Sequence, residues 1–234
     1  MKLLNKVAYL EDYEVLVVAD IHIGYEEALN KMGILLPRSQ FKEMKKEFDE
    51  IFKKLGKEKK KIKEIVILGD LKHEFGIISQ QEWEETIYLL DYFAEKADKI
   101  VLVRGNHDNI LEPIAYKRKL EIVDYYVLGD MLFCHGHKNL KKYLSVKKIK
   151  KIFLGHRHPA VRLEEGRKRE VFKCFLKGRI KGKEIYVLPS FFPLTVGSDI
   201  VNNKKEYDML DFSDFEVFII GDKVYDFGIL KKFR

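Results

Sequence analysis

The seven histidines of the chain all lie in or beside five short polar clusters, and no histidine occurs in the last 76 residues. Each cluster directly follows a short apolar run. The clusters are Asp20-Ile21-His22, Gly69-Asp70 with His73 close behind, Gly105-Asn106-His107-Asp108, His135-Gly136-His137 and Gly155-His156-Arg157-His158. Carboxylate, amide and imidazole groups without thiolates suit hard to borderline divalent cations such as Mn, Fe or Zn. A lone histidine after a strand is more often a structural hydrogen-bonding residue than a ligand, but five such clusters in register favour metal binding.

Seven residues in these clusters are candidate ligands, which is too many for one ion. Two ions about 3.5–4 Å apart that share a bridging carboxylate use this number, and such a pair stabilises both the attacking and the leaving oxygen of a phosphoryl displacement. Gly69, Gly105 and Gly155 stand just before candidate ligands, where a missing side chain lets backbones crowd around a site. The candidate ligands are Asp20, His22, Asp70, Asn106, His135, His156 and His158.

The apolar runs that precede the clusters are rich in β-branched residues and are typical of buried strands. The predicted strands cover residues 15–19, 65–68, 100–103, 131–134 and 152–154. Between the first three, residues 40–55 and 80–97 place apolar side chains at helical spacing. Strand–helix–strand order implies right-handed crossovers and locally parallel strands. The clusters therefore fall at the carboxyl ends of strands, where α/β sheets bind ligands.

After Pro159 the pattern changes to short alternating strands near residues 170–177, 184–188 and 215–219. Gly129-Asp130 predicts a hairpin between strands 122–128 and 131–134, and Gly221-Asp222 predicts another between 216–220 and 223–225. We expect an α/β fold of two packed sheets with helices outside. The whole chain, residues 1–234, is predicted to form one domain in which residues 160–234 complete the second sheet.

The composition is typical of a globular protein, since 46% of the residues are hydrophobic and 35% are charged. These fractions exclude disordered and fibrous classes. No apolar run approaches the roughly 18 residues of a membrane span. Lys6 and Glu11 interrupt the apolar N-terminus, which makes it a poor signal peptide. The two cysteines do not form a disulfide framework, so we expect a cytoplasmic protein without membrane association.

The net charge is +7, from 44 Lys and Arg against 37 Asp and Glu. The excess of lysine and the scarcity of glutamine fit a hyperthermophilic source, although an AT-rich genome gives a similar skew. The charge is uneven: residues 138–183 contain 17 Lys and Arg and three Glu, a charge of +14, so the other 188 residues sum to −7. An acidic partner near His156 and His158 explains this asymmetry, whereas a general surface excess of lysine does not predict it.

In order and spacing, the five clusters resemble the five motifs of the calcineurin-like metallophosphoesterases. The match runs from residue 20 to residue 158 and includes an intact Gly105-Asn106-His107-Asp108 block. A single Asp-x-His or Gly-His-x-His motif is weak evidence, whereas the ordered set is strong. The resemblance implies a four-layer sandwich of two mixed β-sheets flanked by helices, with the activity of a metal-dependent phosphoric ester hydrolase.

The resemblance also implies how two cations divide the ligands. One cation would be bound by Asp20, His22, Asp70 and His158, and the other by Asp70, Asn106, His135 and His156. Asp70 would bridge them, a hydroxide between the cations would attack phosphorus in line, and His107 would be the general acid that protonates the leaving oxygen. Mn²⁺ is the expected metal, with Fe, Zn, Ni and Mg as alternatives.

The chain departs from the family pattern at one position. The family usually has a second Asp three residues after Asp70, where it orients the catalytic imidazole, but this chain has His73 followed by Glu74. Three interpretations are open. His73 contacts His107 or the substrate directly, Glu74 takes over the orienting role, or the substitution is simply tolerated.

Three other residues of the motifs are candidates for supporting the ligands or contacting the substrate. Asp108 closes the third cluster. His137 could support the site, replace His135 as a ligand, or lie on the surface, and we favour His135 as the ligand. Arg157 could reach a substrate phosphate, or it could face outward.

A closer resemblance is to the archaeal SbcD-related phosphoesterases. It rests on Gly33-Ile34-Leu35-Leu36-Pro37, on Gly69–Glu74, and on Leu188–Pro193 with the following Gly197-Ser198-Asp199. These proteins are similar to bacterial phosphoesterases encoded beside a DNA ligase and helicase. The relationship suggests DNA processing by association only, because a family does not fix a substrate.

We expect a phosphodiesterase or nuclease that acts on DNA or RNA. The alternative is a phosphodiesterase for small phosphoesters such as cyclic nucleotides, which requires only the metal pocket, whereas a nucleic acid requires Lys and Arg beyond it. The 76 residues after the last motif leave little room for the capping domain of large nucleases, which tempers the first expectation. A non-catalytic scaffold on the same fold is a third hypothesis, and the filled ligand positions argue against it.

Overall fold

Successive side chains of a β-strand point to opposite faces, so strands that are apolar throughout must be covered on both sides. The computed structural model describes residues 1–76, 78–118, 120–166, 168–200 and 210–233. It confirms the predicted class, an α/β fold with two mixed β-sheets packed face to face.

The first sheet comes from the N-terminal half of the chain. Its strands are β1 (Lys2–Leu4), β2 (Val7–Leu10), β3 (Val15–Val18), β4 (Glu64–Leu68), β5 (Lys99–Val103) and β6 (Glu121–Val123), adjacent in this order. β1, β2 and β3 pair antiparallel, and β3 to β6 run parallel. The predictions of β3, β4 and β5 are confirmed, whereas β1 and β2 were not predicted.

Helices connect the parallel strands. They are α1 (Tyr25–Lys31) and α2 (Gln40–Lys57) between β3 and β4, α3 (Gln80–Ala94) between β4 and β5, and α4 (Glu112–Lys117) between β5 and β6. α2 buries one face, formed by Met44, Phe48, Ile51 and Leu55, against the first sheet. In the ranges that the structure describes, no helix has the length and apolar character needed to cross a membrane.

The second sheet contains the remaining strands. They are β7 (Tyr126–Leu128), β8 (Met131–Cys134), β9 (Lys151–Leu154), β10 (Pro159–Glu165), β11 (Lys168–Ile180), β12 (Lys183–Val187), β13 (Ser198–Asp199), β14 (Glu216–Ile220) and β15 (Val224–Ile229). The order is β13-β10-β11-β12-β9-β8-β7, with β14 on β11 and β15 on β14. β8, β9 and β12 run parallel, and the hairpins predicted at residues 129–130 and 221–222 are confirmed.

One predicted strand is wrong. Residues 122–128 do not form a single strand, because the chain leaves the first sheet after β6 and enters the second sheet as β7. Asp124 and Tyr125 make this crossing. β6 pairs with β5 while β7 pairs with β8, so the segment serves two sheets.

Three apolar layers follow from strand alternation. In β3, Val15 and Val17 point between the two sheets, while Leu16 and Val18 point toward α2 and α3. β8 and β9 likewise share their side chains between the inter-sheet layer and the outer face of the second sheet. Among the described residues, that outer face is covered by the short helix α5 (Lys141–Leu144) and by residues 210–215 rather than by long helices.

A substitution of Phe48 in α2 tests the aromatic packing that supports the strand ends. Its side chain is fully buried, stacks on Phe191 at a centroid distance of 3.9 Å and meets Phe93 edge-on at 4.8 Å. We expect Phe48→Ala to lower the free energy of unfolding by about 3–5 kcal/mol, measured by urea denaturation. The control Tyr116→Ala removes a ring that is 86% exposed and should change stability by less than about 0.5 kcal/mol. Equal midpoints for the two variants would contradict this packing.

Candidate metal centre

All five polar clusters begin where a strand ends: β3, β4 and β5 in the first sheet, and β8 and β9 in the second. Backbone hydrogen bonds join the clusters to one another. The N–H of Asp20 donates to the carbonyl of Gly69 at 3.2 Å, and the N–H of Gly155 donates to the carbonyl of His135 at 3.1 Å. The carboxyl edges of both sheets therefore meet at one site.

Five of the seven predicted ligands have a left-handed backbone, with φ between 41° and 65°. Such conformations cost about 1–3 kcal/mol each in residues other than glycine, and they cluster at functional sites. The five are Asp20, His22, Asp70, His156 and His158. Local hydrogen bonds hold them, as at His156, whose N–H donates to the Asp20 carboxylate at 2.9 Å.

The first group of converging donors consists of Asp20, His22 and His158. One donor atom from each lies within 4.8 Å of the other two. His158 Nε2 is 3.2 Å from Asp20 Oδ1 and 3.4 Å from His22 Nε2. Asp20 is fully buried, so its negative charge requires a positive partner.

The second group consists of Asp70, His135 and His156, again within 4.8 Å of one another. His135 Nε2 lies 3.2 Å from Asp70 Oδ2 and 3.1 Å from His156 Nδ1. The side-chain oxygen of Asn106 lies 3.1 Å from the same His135 nitrogen. The structure thus brings four of the predicted ligands together here.

Asp70 lies between the two groups. Its Oδ1 accepts a hydrogen bond from the N–H of His107 at 2.9 Å, which fixes the carboxylate. Its Oδ2 lies 3.2 Å from His135 Nε2 in the second group and 3.8 Å from His22 Nε2 in the first. One carboxylate oxygen is therefore within reach of both groups, as a bridging ligand must be.

The electrostatics fit a pair of divalent cations. Burial lowers the pKa of His22 to about 3 and that of His156 to about 4, so both imidazoles are neutral near pH 7 and offer lone pairs. Burial acts to raise the pKa of Asp20, but the imidazoles of His158 and His135 together outweigh it and the pKa is lowered. Imidazole nitrogens that face each other at 3.1–3.4 Å beside ionised carboxylates form a donor set suited to a cation.

The imidazole of His107 is oriented by a main-chain atom. Its Nδ1 donates to the carbonyl oxygen of His73, since a carbonyl only accepts. Its Nε2 then faces the centre, 4.0 Å from Asp70 Oδ2. His73 therefore contacts His107 as one interpretation expected, both through its backbone carbonyl and through its ring, which stacks on that of His107 at a centroid distance of 5.0 Å.

The sequence matches the profile of the calcineurin-like phosphoesterases over residues 13–222. The chain belongs to the calcineurin-like phosphoesterase family. No curated protein matches the sequence significantly.

Several solved structures are similar to this chain, to different degrees. A nuclease of Pseudomonas putida, MPE, is 21% identical, with 94% of this chain and 91% of that chain covered and a TM-score of 0.66. YfcE, a phosphoesterase from E. coli, is 16% identical over 92% of this chain and 98% of its own, with a TM-score of 0.40. Vps29 from Entamoeba histolytica, solved with zinc, is 13% identical over 91% and 96%, with a TM-score of 0.41. The likeness to MPE, at 21% identity, shows a shared fold.

Two carboxylates support the loops of this phosphoesterase site. Asp108 is buried and accepts hydrogen bonds from the N–H groups of Asp70 at 2.7 Å and Gly105 at 2.8 Å. Glu82, which sequence analysis missed, is also buried, and it accepts the N–H groups of His73 and Glu74 at 2.9 Å. Its signal was Ser79-Gln80-Gln81-Glu82, a helix-capping pattern in which Ser79 does accept the Glu82 N–H.

A loop after β12 holds Asp20 from the other side. Ser190 Oγ donates to the carbonyl of Asp20 at 3.0 Å. Two lysines hold the loop itself: the buried Lys6 donates through Nζ to the carbonyl of Phe191 at 2.8 Å, and the half-buried Lys173 donates through Nζ to that of Ser190 at 2.8 Å. Phe191 of this loop is fully buried and stacks on Phe48 of α2.

The remaining predicted residues lie at the border of the site. The ring of His137 is half-buried, with its centroid 5.2 Å from that of His135. His137 belongs neither to the two groups above nor to the third group found in the described part of the chain, which consists of His22, His73 and His107. Glu74 is anchored by its backbone to Glu82. Arg157 is half-buried, and its N–H donates to the carbonyl of Gly155 at 2.7 Å.

Gly105 tests how closely the loops must approach. A Cβ at this position would lie 2.0 Å from Asp70 Oδ1 and 2.3 Å from the Asp70 backbone nitrogen. We expect Gly105→Ala to displace Asp70 and to lower the number of Mn²⁺ ions bound per chain, measured by equilibrium dialysis. Gly56→Ala is the control, because a Cβ there meets nothing within 4 Å and its site in α2 favours alanine. Full metal binding by Gly105→Ala would contradict the described approach.

His135 gives the site a pH dependence. Burial acts to lower its pKa, but the carboxylates of Asp70 and Asp20 raise the pKa to about 9, so the metal-free imidazole is protonated at pH 7. Metal binding at His135 must release this proton, and the apparent Mn²⁺ affinity should rise about tenfold per pH unit from pH 7 until it levels off near pH 9. Calorimetry in buffers of different ionisation enthalpy should detect about one released proton per chain at pH 7.

The matched control for this measurement is His137→Ala. Burial lowers the pKa of His137 to about 4, so its imidazole is already neutral at pH 7 and its loss should not change the proton count. Metal binding without proton release would show that His135 is not a ligand.

Proposed function

We propose that this phosphoesterase is a dinuclear-metal phosphodiesterase that cleaves nucleic acid. The observation that supports the proposal most is the position of Asp70, whose Oδ2 is within 4 Å of imidazoles from both donor groups. One cation would be held by Asp20, His22, Asp70 and His158, and the other by Asp70, Asn106, His135 and His156. Oxygen and nitrogen donors without thiolates favour Mn²⁺, and Fe, Zn, Ni and Mg are alternatives.

Two divalent cations in these positions supply the Lewis acidity that neutralises the phosphoryl oxygens and activates water at neutral pH. The chain itself supplies a proton. The carbonyl of His73 keeps a hydrogen on Nδ1 of His107, so Nε2 is the ring nitrogen that faces the centre. From this atom the imidazolium donates to the leaving oxygen of the ester. The candidate ligands Asp20, Asp70 and His135 are buried, so bulk water is excluded from the floor of the site on which the substrate phosphate would lie.

A polynucleotide substrate is supported by two observations. MPE of Pseudomonas putida, the solved structure with a TM-score of 0.66, is a nuclease. Part of the net charge of +14 over residues 138–183 lies close to the centre, because this stretch contains His156 and His158. A panel of single-stranded, double-stranded and cyclic nucleotide substrates with Mn²⁺ tests the proposal. Cleavage of cyclic nucleotides alone would indicate a phosphodiesterase for small phosphoesters. If no substrate is cleaved in a metal-dependent way, the protein would be a non-catalytic scaffold.

The proton-donor role of His107 gives a sharper test. We expect His107→Ala to lower kcat about 10²- to 10⁴-fold with a nucleoside leaving group, and much less with p-nitrophenolate, which leaves without a proton. Its metal content should remain that of wild type. Asp70→Asn should lose both metal and activity with either substrate.

The control for both variants is His137→Ala, since His137 lies outside the donor groups found among the described residues. A drop in kcat of the same size for both leaving groups in His107→Ala would contradict the proton-donor role. Wild-type metal content in Asp70→Asn would contradict the bridging role.

A further inference from the structure

A groove on the outer face of the second sheet, outside the metal centre, combines an apolar floor with a basic rim. Its volume is about 440 Å³. The side chains that line it are Tyr125, Val127, Leu132, Lys142, Tyr143, Val146, Lys148 and Ile149. Leu132 and Ile149 belong to the outer apolar layer of the second sheet, so the floor is part of the core.

One end of the groove borders the metal centre. Tyr126 pairs with Phe133, which places Tyr125 beside Cys134, the residue before His135. Asp124, next to Tyr125, accepts a hydrogen bond from Lys138 at 2.8 Å. Tyr125 therefore marks the end of the groove that lies toward the strand end before His135, and the groove extends from there along β7 and β8.

Lysines dominate the charge of this surface. Residues 138–151 contain seven lysines and no acidic residue, and no Asp or Glu lines the groove. Lys142 and Lys148 are both exposed at the rim. The nearest acid described above, Asp124, is already paired with Lys138. The local potential is therefore positive and complementary to a polyanion.

The groove also offers a ring for stacking. Tyr125 is 47% exposed, although its other side packs against the buried Tyr143 at a centroid distance of 5.4 Å. Lys142 Nζ lies 4.6 Å from the centroid of the Tyr143 ring. An exposed, supported aromatic ring between lysines is the combination by which proteins bind single-stranded nucleic acid without sequence preference.

We propose that this groove, lined by Tyr125, Lys142 and Lys148, binds single-stranded nucleic acid beside the cleavage centre. One base stacks on Tyr125, and the flanking phosphates contact the two lysines. This proposal rests on the proposed function, because it extends the substrate from the metal centre along the second sheet.

The test is binding of a labelled single-stranded oligonucleotide to the full chain, measured by fluorescence anisotropy in EDTA so that no cleavage occurs. We expect Lys142→Ala/Lys148→Ala to weaken binding about tenfold or more at 0.1 M salt and to reduce the slope of log Kd against log salt by about 1.4, or about 0.7 per phosphate contact. Tyr125→Ala should weaken binding at least about fivefold, and Tyr125→Phe should restore it.

A second basic cleft supplies the control. It is lined by Lys61 and Lys96, among others, and lies at the opposite end of the strands, next to the starts of β4 and β5. Lys61→Ala/Lys96→Ala removes the same charge and should leave oligonucleotide affinity within about twofold of wild type. Equal weakening by the two double variants would reduce the effect to net charge and overturn the proposal.

Two further outcomes would also overturn it. One is wild-type affinity in both Tyr125→Ala and Lys142→Ala/Lys148→Ala. The other is oligonucleotide binding that no variant weakens, together with tight binding of an acidic peptide that the groove variants abolish. That result would assign the groove to a protein partner. Hydrolysis of a small chromogenic phosphodiester by the unaltered chain with Mn²⁺ separates the two proposals. If the chain does not hydrolyse this ester but binds the oligonucleotide in the groove, the proposed phosphodiesterase function is contradicted. If it hydrolyses the ester but the groove variants bind the oligonucleotide like wild type, the proposed binding groove is contradicted.

Discussion

The buried carboxylate of Asp108 joins the two loops on which the metal centre depends. It accepts N–H groups from Asp70 and Leu71 after β4 and from Gly105 after β5, at 2.7, 3.0 and 2.8 Å. Burial, together with the nearby charge of Asp70, raises the pKa of Asp108 to about 6. These converging backbone dipoles keep the negative charge tolerable in the interior. Together with the N–H of His107, which donates to Asp70 Oδ1, this carboxylate holds Gly105 against Asp70.

The same principle extends to the other strand ends. Five candidate ligands have a left-handed backbone that is unfavourable on its own, and such strain persists only where the surroundings determine it fully. At Asp20 the backbone carbonyl accepts a hydrogen bond from the hydroxyl of Ser190. The loop that carries Ser190 is in turn held by the amino groups of Lys6 and Lys173. Polar contacts from segments distant in sequence thus hold the candidate ligands in place.

Much of this arrangement could be predicted because its signals are local. The buried strands and the polar residues that follow them are continuous in sequence, and parallel strand order brings their ends together. The orientation of His107 could not be predicted, since its partner is a backbone carbonyl that any residue could supply. The crossing at Asp124 was missed because no glycine or proline interrupts residues 122–128. Lys173 acts through contacts between segments distant in sequence, which periodicity does not detect.

The proposed phosphodiesterase function depends on two cations that share the carboxylate of Asp70. Anomalous diffraction at the manganese edge, from crystals grown with Mn²⁺, tests this most directly. We predict two peaks per chain, about 3.5–4 Å apart, with Asp70 contacting both. A single peak, or two peaks of which only one contacts Asp70, would contradict the account.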